Sequence, residues 1–282
     1  MLHLDDTVTE PDTTLHGTAT VPCRVRLWWS AEGHDPDTDE KLIVSEQRLT
    51  APGPFHITVP PDAALSHKGT EVRLFWVLTT RGDGPDAVEH HDLQIVSASE
   101  GPAAPGLADA FATWSGRESR ADLLALAALS AIATVGVAIG MVAAGLGPLA
   151  ALAVFPGVGG AVLWWRRARP RTAGAHGPVC TGDTVDVSSV LPGAARWRLL
   201  YREEGVVLKR RHYQSGGSYR TRRWRHRVTV TSEGATGEAV VVLMNGPSTL
   251  LGRSRRIRWA IELTKGDIVV EVPLLVAPRV RV

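Results

Sequence analysis

The chain has 282 residues, room for two domains, with apolar residues at 44% and charged residues at 21%. A formal charge of +2 conceals a division: residues 1–115 hold eighteen acids and seven bases, whereas residues 172–282 hold nine acids and eighteen bases. Two cysteines exclude a disulfide scaffold and a Cys-rich zinc finger, and the opening MLHLDDTVTE lacks the apolar run of a secretory signal.

In the acidic first part, short β-branched and aromatic runs predict strands at residues 16–21, 24–30, 42–49, 55–59, 72–78 and 91–97. Gly33-His-Asp-Pro, Ala51-Pro-Gly-Pro, Pro60-Pro-Asp and Arg81-Gly-Asp-Gly-Pro separate them as turns. This is the pattern of an antiparallel sandwich. Asp35, Asp37, Asp39 and Glu40 share one loop without the Gly and distant Glu of a calcium loop. They read as an acidic hairpin tip, suited to basic residues of the second part. His90 and His91 are neighbours in a strand and point to opposite faces, which disfavours a shared metal. Cys23 and Cys180 have no local cysteine or histidine partner.

Between Asp122 and Arg166 lie 43 residues without a charge. As one helix they would run roughly 65 Å, twice a bilayer core of about 30 Å. Gly145-Leu-Gly-Pro148 breaks the run, predicting a transmembrane helical hairpin with spans at about 123–144 and 149–165. Gly136 and Gly140, with Gly157 in the second span, supply small residues for close helix packing. Trp114, Trp164 and Trp165 sit where an interfacial belt would lie. Arg117 and Arg120 before the hairpin, and Arg166, Arg167, Arg169 and Arg171 after it, place both flanks in the cytoplasm. Pro156 and the short second stretch leave one span plus a re-entrant segment as the rival. The expected location is a bacterial inner (plasma) membrane, multi-pass, with both termini cytoplasmic.

The basic third part predicts strands at residues 195–201, 206–213, 219–230, 238–243, 256–263 and 268–275. Gln214-Ser-Gly-Gly-Ser218 marks a hairpin, so Lys209, Arg210, Arg211, Arg220, Arg222, Arg223, Arg225 and Arg227 crowd one ribbon, with Tyr213, Tyr219 and Trp224 among them. Like charges facing each other call for a neutralising partner. Anionic lipid, the acidic lobe and nucleic acid are the candidates; nucleic acid lacks a tracking fold here and ranks last. A solvated arginine face is the plain alternative.

The two lobes also resemble each other. Val25-Arg-Leu-Trp-Trp-Ser-Ala-Glu-Gly33 aligns without gaps on Trp197-Arg-Leu-Leu-Tyr-Arg-Glu-Glu-Gly205, placing Trp29 on Tyr201. Ser66, Gly69 and Trp76 recur in the same order as Ser248, Gly252 and Trp259. The order predicts an internal duplication, divided as residues 1–112, the hairpin at 113–171, and residues 172–282.

Phe55-His-Ile-Thr-Val-Pro60, Ala64-Leu-Ser66, Gly69 and Trp76-Val-Leu resemble the signature of arrestin-like sandwich domains. Alanine stands where a second proline is usual. The C-terminal lobe keeps Gly246-Pro-Ser248, Gly252 and Trp259-Ala-Ile261 but lacks the aromatic approach strand. The resemblance implies tandem arrestin-like domains and the role of an adaptor or trafficking scaffold without catalysis. Together with the hairpin, the expected function is a noncatalytic membrane-anchored scaffold offering two cytoplasmic lobes to protein or anionic-lipid partners, or to a second copy. The rivals are an accessory subunit of a larger membrane complex or transporter, and an enzyme whose site assembles from distant residues. No phosphate loop, paired carboxylates or ligand cluster calls for a cofactor or metal.

Overall fold

The period-two burial of Thr14–Ala19, with Leu15 and Ala19 inward, and of Cys23–Leu27, with Cys23, Val25 and Leu27 inward, marks strands that face a core on one side only. The computed structural model describes residues 2–82, 88–104, 171–172, 176–212, 218–235, 240–241 and 246–281. In its first lobe the strands are β1 (Leu2–Leu4), β2 (Val8–Thr9), β3 (Thr14–Ala19), β4 (Cys23–Glu32), β5 (Glu40–Leu49), β6 (Gly53–Thr58), β7 (His67–Lys68), β8 (Arg73–Arg81) and β9 (Val88–Ile95). The second lobe has β10 (Arg171–Thr172), β11 (His176–Cys180), β12 (Thr184–Val185), β13 (Arg196–His212), β14 (Ser218–Ala235), β15 (Val240–Val241), β16 (Leu250–Leu251), β17 (Arg255–Lys265) and β18 (Ile268–Ala277).

Both lobes follow one plan. The order β5-β4-β8-β9, with β7 on β8 and β2 parallel to β9, reappears as β14-β13-β17-β18, with β16 on β17 and β11 parallel to β18. The small second sheet is β1-β3-β6 in the first lobe and, among the described residues, β12-β15 in the other. Trp29 stands opposite Trp76 as Tyr201 stands opposite Trp259. The pairing register slips between Leu27 and Trp28 of β4, where Val44 of β5 is the extra residue, and between Leu199 and Leu200 of β13, where Thr231 of β14 is, the same aligned position. Trp76 and Trp259 are each 1% exposed and tie their indole N–H to a carbonyl twelve residues upstream: Trp76 to Ala64 O at 2.8 Å, Trp259 to Pro247 O at 2.7 Å.

One expected equivalence shifts. Ser66 Oγ accepts the Ile95 amide at 2.9 Å, and the matching hydroxyl is that of Thr249, which accepts the Val276 amide at 2.9 Å. Ser248, paired with Ser66 by sequence identity, instead receives the Leu65 amide from the other lobe at 3.0 Å. The two strands expected at 195–201 and 206–213 are one, β13, running through Gly205. There the backbone of Glu71 in the first lobe lies close enough that a Cβ would meet its carbonyl oxygen at 3.2 Å.

The membrane expectations are corrected. Among the described residues the helical element is a single turn at Pro36–Thr38, and no helix is long and apolar enough to cross a membrane. The stretches at about 123–144 and 149–165, with Gly136, Gly140 and Gly157, and the belt residues Trp114, Trp164 and Trp165, lie outside the described residues. The transmembrane hairpin, the multi-pass inner-membrane location and the membrane-anchored function are therefore not retained. The fold is mainly β, in two sandwich-like lobes whose cores lie between facing sheets.

Trp259→Ala should cost about 3–5 kcal/mol of unfolding free energy in urea, and Trp259→Phe about 1–3 kcal/mol for leaving the Pro247 carbonyl unpaired.

Candidate functional site

The lobes meet through two reciprocal carboxylate contacts. After Gly69, the turn into β8 presents the amides of Glu71 and Val72 to Glu203 Oε2 on β13, at 2.7 and 3.3 Å. After Gly252, the equivalent turn into β17 presents the amides of Ser254 and Arg255 to Glu40 Oε1 on β5, the latter at 3.1 Å. Residues 71 and 72 align with 254 and 255 through the tryptophans that follow. Each lobe thus gives two backbone donors to one acid of the other. A Cβ on Gly69 would collide with the Glu203 carboxylate, and one on Gly252 with that of Glu40. Glycine at these two places permits the approach.

Around this pair lies a mostly buried ionic network. Arg255, 1% exposed, donates to Val206 O at 2.9 Å and Asp35 O at 3.0 Å, and its guanidinium lies 3.3 Å from Asp39 Oδ1. Asp35 Oδ2 accepts the Leu208 amide at 2.7 Å, and the Thr38 hydroxyl donates to Val206 O at 2.8 Å. The acidic loop thus serves the other lobe, as its charge suggests, but docks on Arg255 and the β13 backbone. Nearby, His67 Nε2 is 3.0 Å from Glu203 Oε1. The Glu71 carboxylate, largely buried, lies 3.4 Å from His34 and 3.6 Å from Arg225. Burial pushes the Glu203 carboxyl upward, but hydrogen bonds from His67 and the Glu71 and Val72 amides outweigh it and hold its pKa below the ordinary glutamate value.

Apolar contacts reinforce the junction: Leu250 and Ile257 of the second lobe belong to the same buried cluster as Leu65, Val72 and Trp76 of the first. At the far end, the C-terminal tail is strapped to residues 97–104. Arg279 N–H donates to Ser97 Oγ at 3.0 Å, Ala104 N–H to Pro278 O at 3.0 Å, and Val280 N–H to Pro102 O at 3.1 Å.

The predicted basic ribbon forms, with Arg210 opposite Arg220 in the β13–β14 ladder, but its charges have separate fates. The side chains of Arg210, Arg211 and Arg220 lie outside the described set. Lys209 is exposed. Arg222 donates to Ser254 Oγ at 3.1 Å, and Arg225 faces Glu71 of the other lobe. Arg223 and Arg227 are exposed and have no ion pair among the described residues. The Arg256 guanidinium covers the Trp224 ring at 4.5 Å. Membrane lipid, expected as the ribbon's partner, is corrected with the hairpin that would have tethered it, and two of the arginines are already engaged inside the protein. Among the described residues no group of three or more His, Cys, Asp or Glu side chains is placed to hold a metal. Burial pushes both cysteine thiols above their ordinary pKa. Sequence reasoning turned Glu40, with the rest of its acidic loop, toward basic residues of the second part but not toward its backbone amides, and missed Glu203, His67 and Arg255 altogether; the matched glycines were the visible trace of the contacts they form.

No family model matches the chain, and no curated protein does. Among solved structures, squid arrestin superposes over 99% of this chain and 94% of its own, at 8% identity and a TM-score of 0.37. A Salmonella alpha-2-macroglobulin reacted with methylamine superposes over 98% of this chain and 16% of its own, at 8% identity and a TM-score of 0.26. Similarity at this level carries no argument about function. The expected membrane-anchored protein with tandem arrestin-like domains is corrected accordingly: the described residues hold no membrane-crossing helix.

Arg255→Ala should destabilise the chain by about 3–5 kcal/mol, because Asp39 and the carbonyls it serves lose their buried partner. The Glu203 carboxylate contributes stability above its unfolded pKa, about 4.3, and that contribution fades as pH falls through the lowered folded value. Urea midpoints of the wild type should therefore drop below about pH 4.3 more steeply than those of Glu203→Gln.

Proposed function

We propose that the chain is a noncatalytic scaffold that holds two β lobes in one fixed arrangement and binds an acidic, extended segment of a protein partner along β14. The observation that carries this reading is the outer edge of β14. Among the described residues this strand of 18 residues ends the sheet order β10-β18-β17-β13-β14, and there its outward backbone groups are open to an added strand. Arg223 and Arg227 are exposed along it, with Val228 and Val230 each 46% exposed beyond them. Positive charge discourages self-pairing and favours an acidic strand. In this reading the buried acid at the junction serves structure: Glu203 accepts two amides and is paired with a histidine. The division at 1–112, 113–171 and 172–282 belongs to the same proposal.

Fluorescence anisotropy with labelled poly-L-glutamate tests it. The full chain should bind this probe and not poly-L-lysine, and Arg223→Glu with Arg227→Glu should weaken binding at least about tenfold. Unchanged binding by the double variant would remove β14 as the contact surface.

A further inference from the structure

Four of the seven bases in residues 1–115 gather at one end of the larger sheet of the acidic lobe. Arg24 on β4 stands directly opposite Arg48 on β5 and Arg81 on β8, so three arginines form a row across adjacent strands on one face. Arg26, two residues further along β4, shares that face and is opposite Glu46. Glu46 takes the Arg26 guanidinium at 2.5 Å and lies 3.3 Å from that of Arg24. The side chains of Arg48 and Arg81 have neither an ion pair nor a hydrogen bond among the described residues. Together the four line a hollow of about 390 Å³, with Cys23 and Gly82 also on its wall.

Like charges opposite one another weaken a ladder, and among the described residues a single carboxylate, Glu46, is paired with this cluster of four guanidinium groups. We propose that this hollow is a binding site for the dianionic phosphate group of a small ligand. Guanidinium forks match phosphate oxygens bidentately, and arginines from three strands can approach one tetrahedral anion from different sides. A carboxylate would leave more of the charge unmet. The volume lies within the range of small-molecule sites, about 300–1,000 Å³, and exceeds the needs of a bare ion. The site is on the first lobe and does not depend on the reading of β14.

Calorimetric titration of the full chain with inorganic phosphate and with glycerol phosphate, at constant ionic strength set by chloride, tests the assignment. Saturable binding is expected, with a rise in Tm that chloride alone does not give. Arg48→Gln with Arg81→Gln should weaken phosphate at least about tenfold. Without phosphate the same variant should be no less stable than the wild type, because repulsion is relieved, so lost binding is not lost folding. Arg223→Gln with Arg227→Gln should bind phosphate as the wild type does. An equal response in chloride, or an undiminished response in Arg48→Gln/Arg81→Gln, would overturn the site, as would loss confined to the β14 variant.

Discussion

Two glutamates, each accepting a pair of backbone amides from the opposite lobe, set the geometry on which the rest of the molecule depends. A buried carboxylate is tolerated only when its lone pairs are met. Buried Glu203 and half-buried Glu40 are met by turns that start from equivalent glycines. The donors belong to the backbone, so the contact constrains where the chain runs more than which side chains it carries. Neither turn can shift far without stranding an acid, and the lobes are thereby registered on each other.

The arrangement is symmetric in backbone and asymmetric in side chains. At the second amide of each turn the first lobe has Val72, fully buried in its core, and the second has Arg255, equally buried but charged. Arg255 reaches the acidic loop, which closes the β4–β5 connection just after Gly33; β13 instead continues past the aligned Gly205 into the long ribbon with β14. One repeat supplies a short docking loop and the other a long projecting hairpin. Part of the charge division between the halves of the chain serves this split of roles: the acids at positions 35, 39 and 40 all face the second lobe.

Local features were legible in the sequence. The alignment of Trp29 with Tyr201 and of Gly69 with Gly252 survives in three dimensions, because strand registry and tight turns are encoded over a few residues. The fate of a glycine was not. Gly33 is followed by His-Asp-Pro and ends a strand, whereas Gly205 is followed by Val-Val-Leu and stays within one, against the other lobe's backbone. Glu203 and Arg255 had no local signature, since the partners they meet in the first lobe lie more than a hundred residues away. Serine identity also misled, placing Ser66 on Ser248 when the hydroxyl in the matching backbone position is threonine. The arginine row escaped notice because its members are scattered over three strands and only the ladder brings them together.

Leu250 and Ile257 belong to the second repeat by sequence yet complete the interior of the first. Separation of the halves would therefore open a wound in a hydrophobic interior as well as expose charged groups. The two halves are coupled as tightly as elements of one folding unit, and heating should melt them in a single calorimetric transition in place of two independent ones.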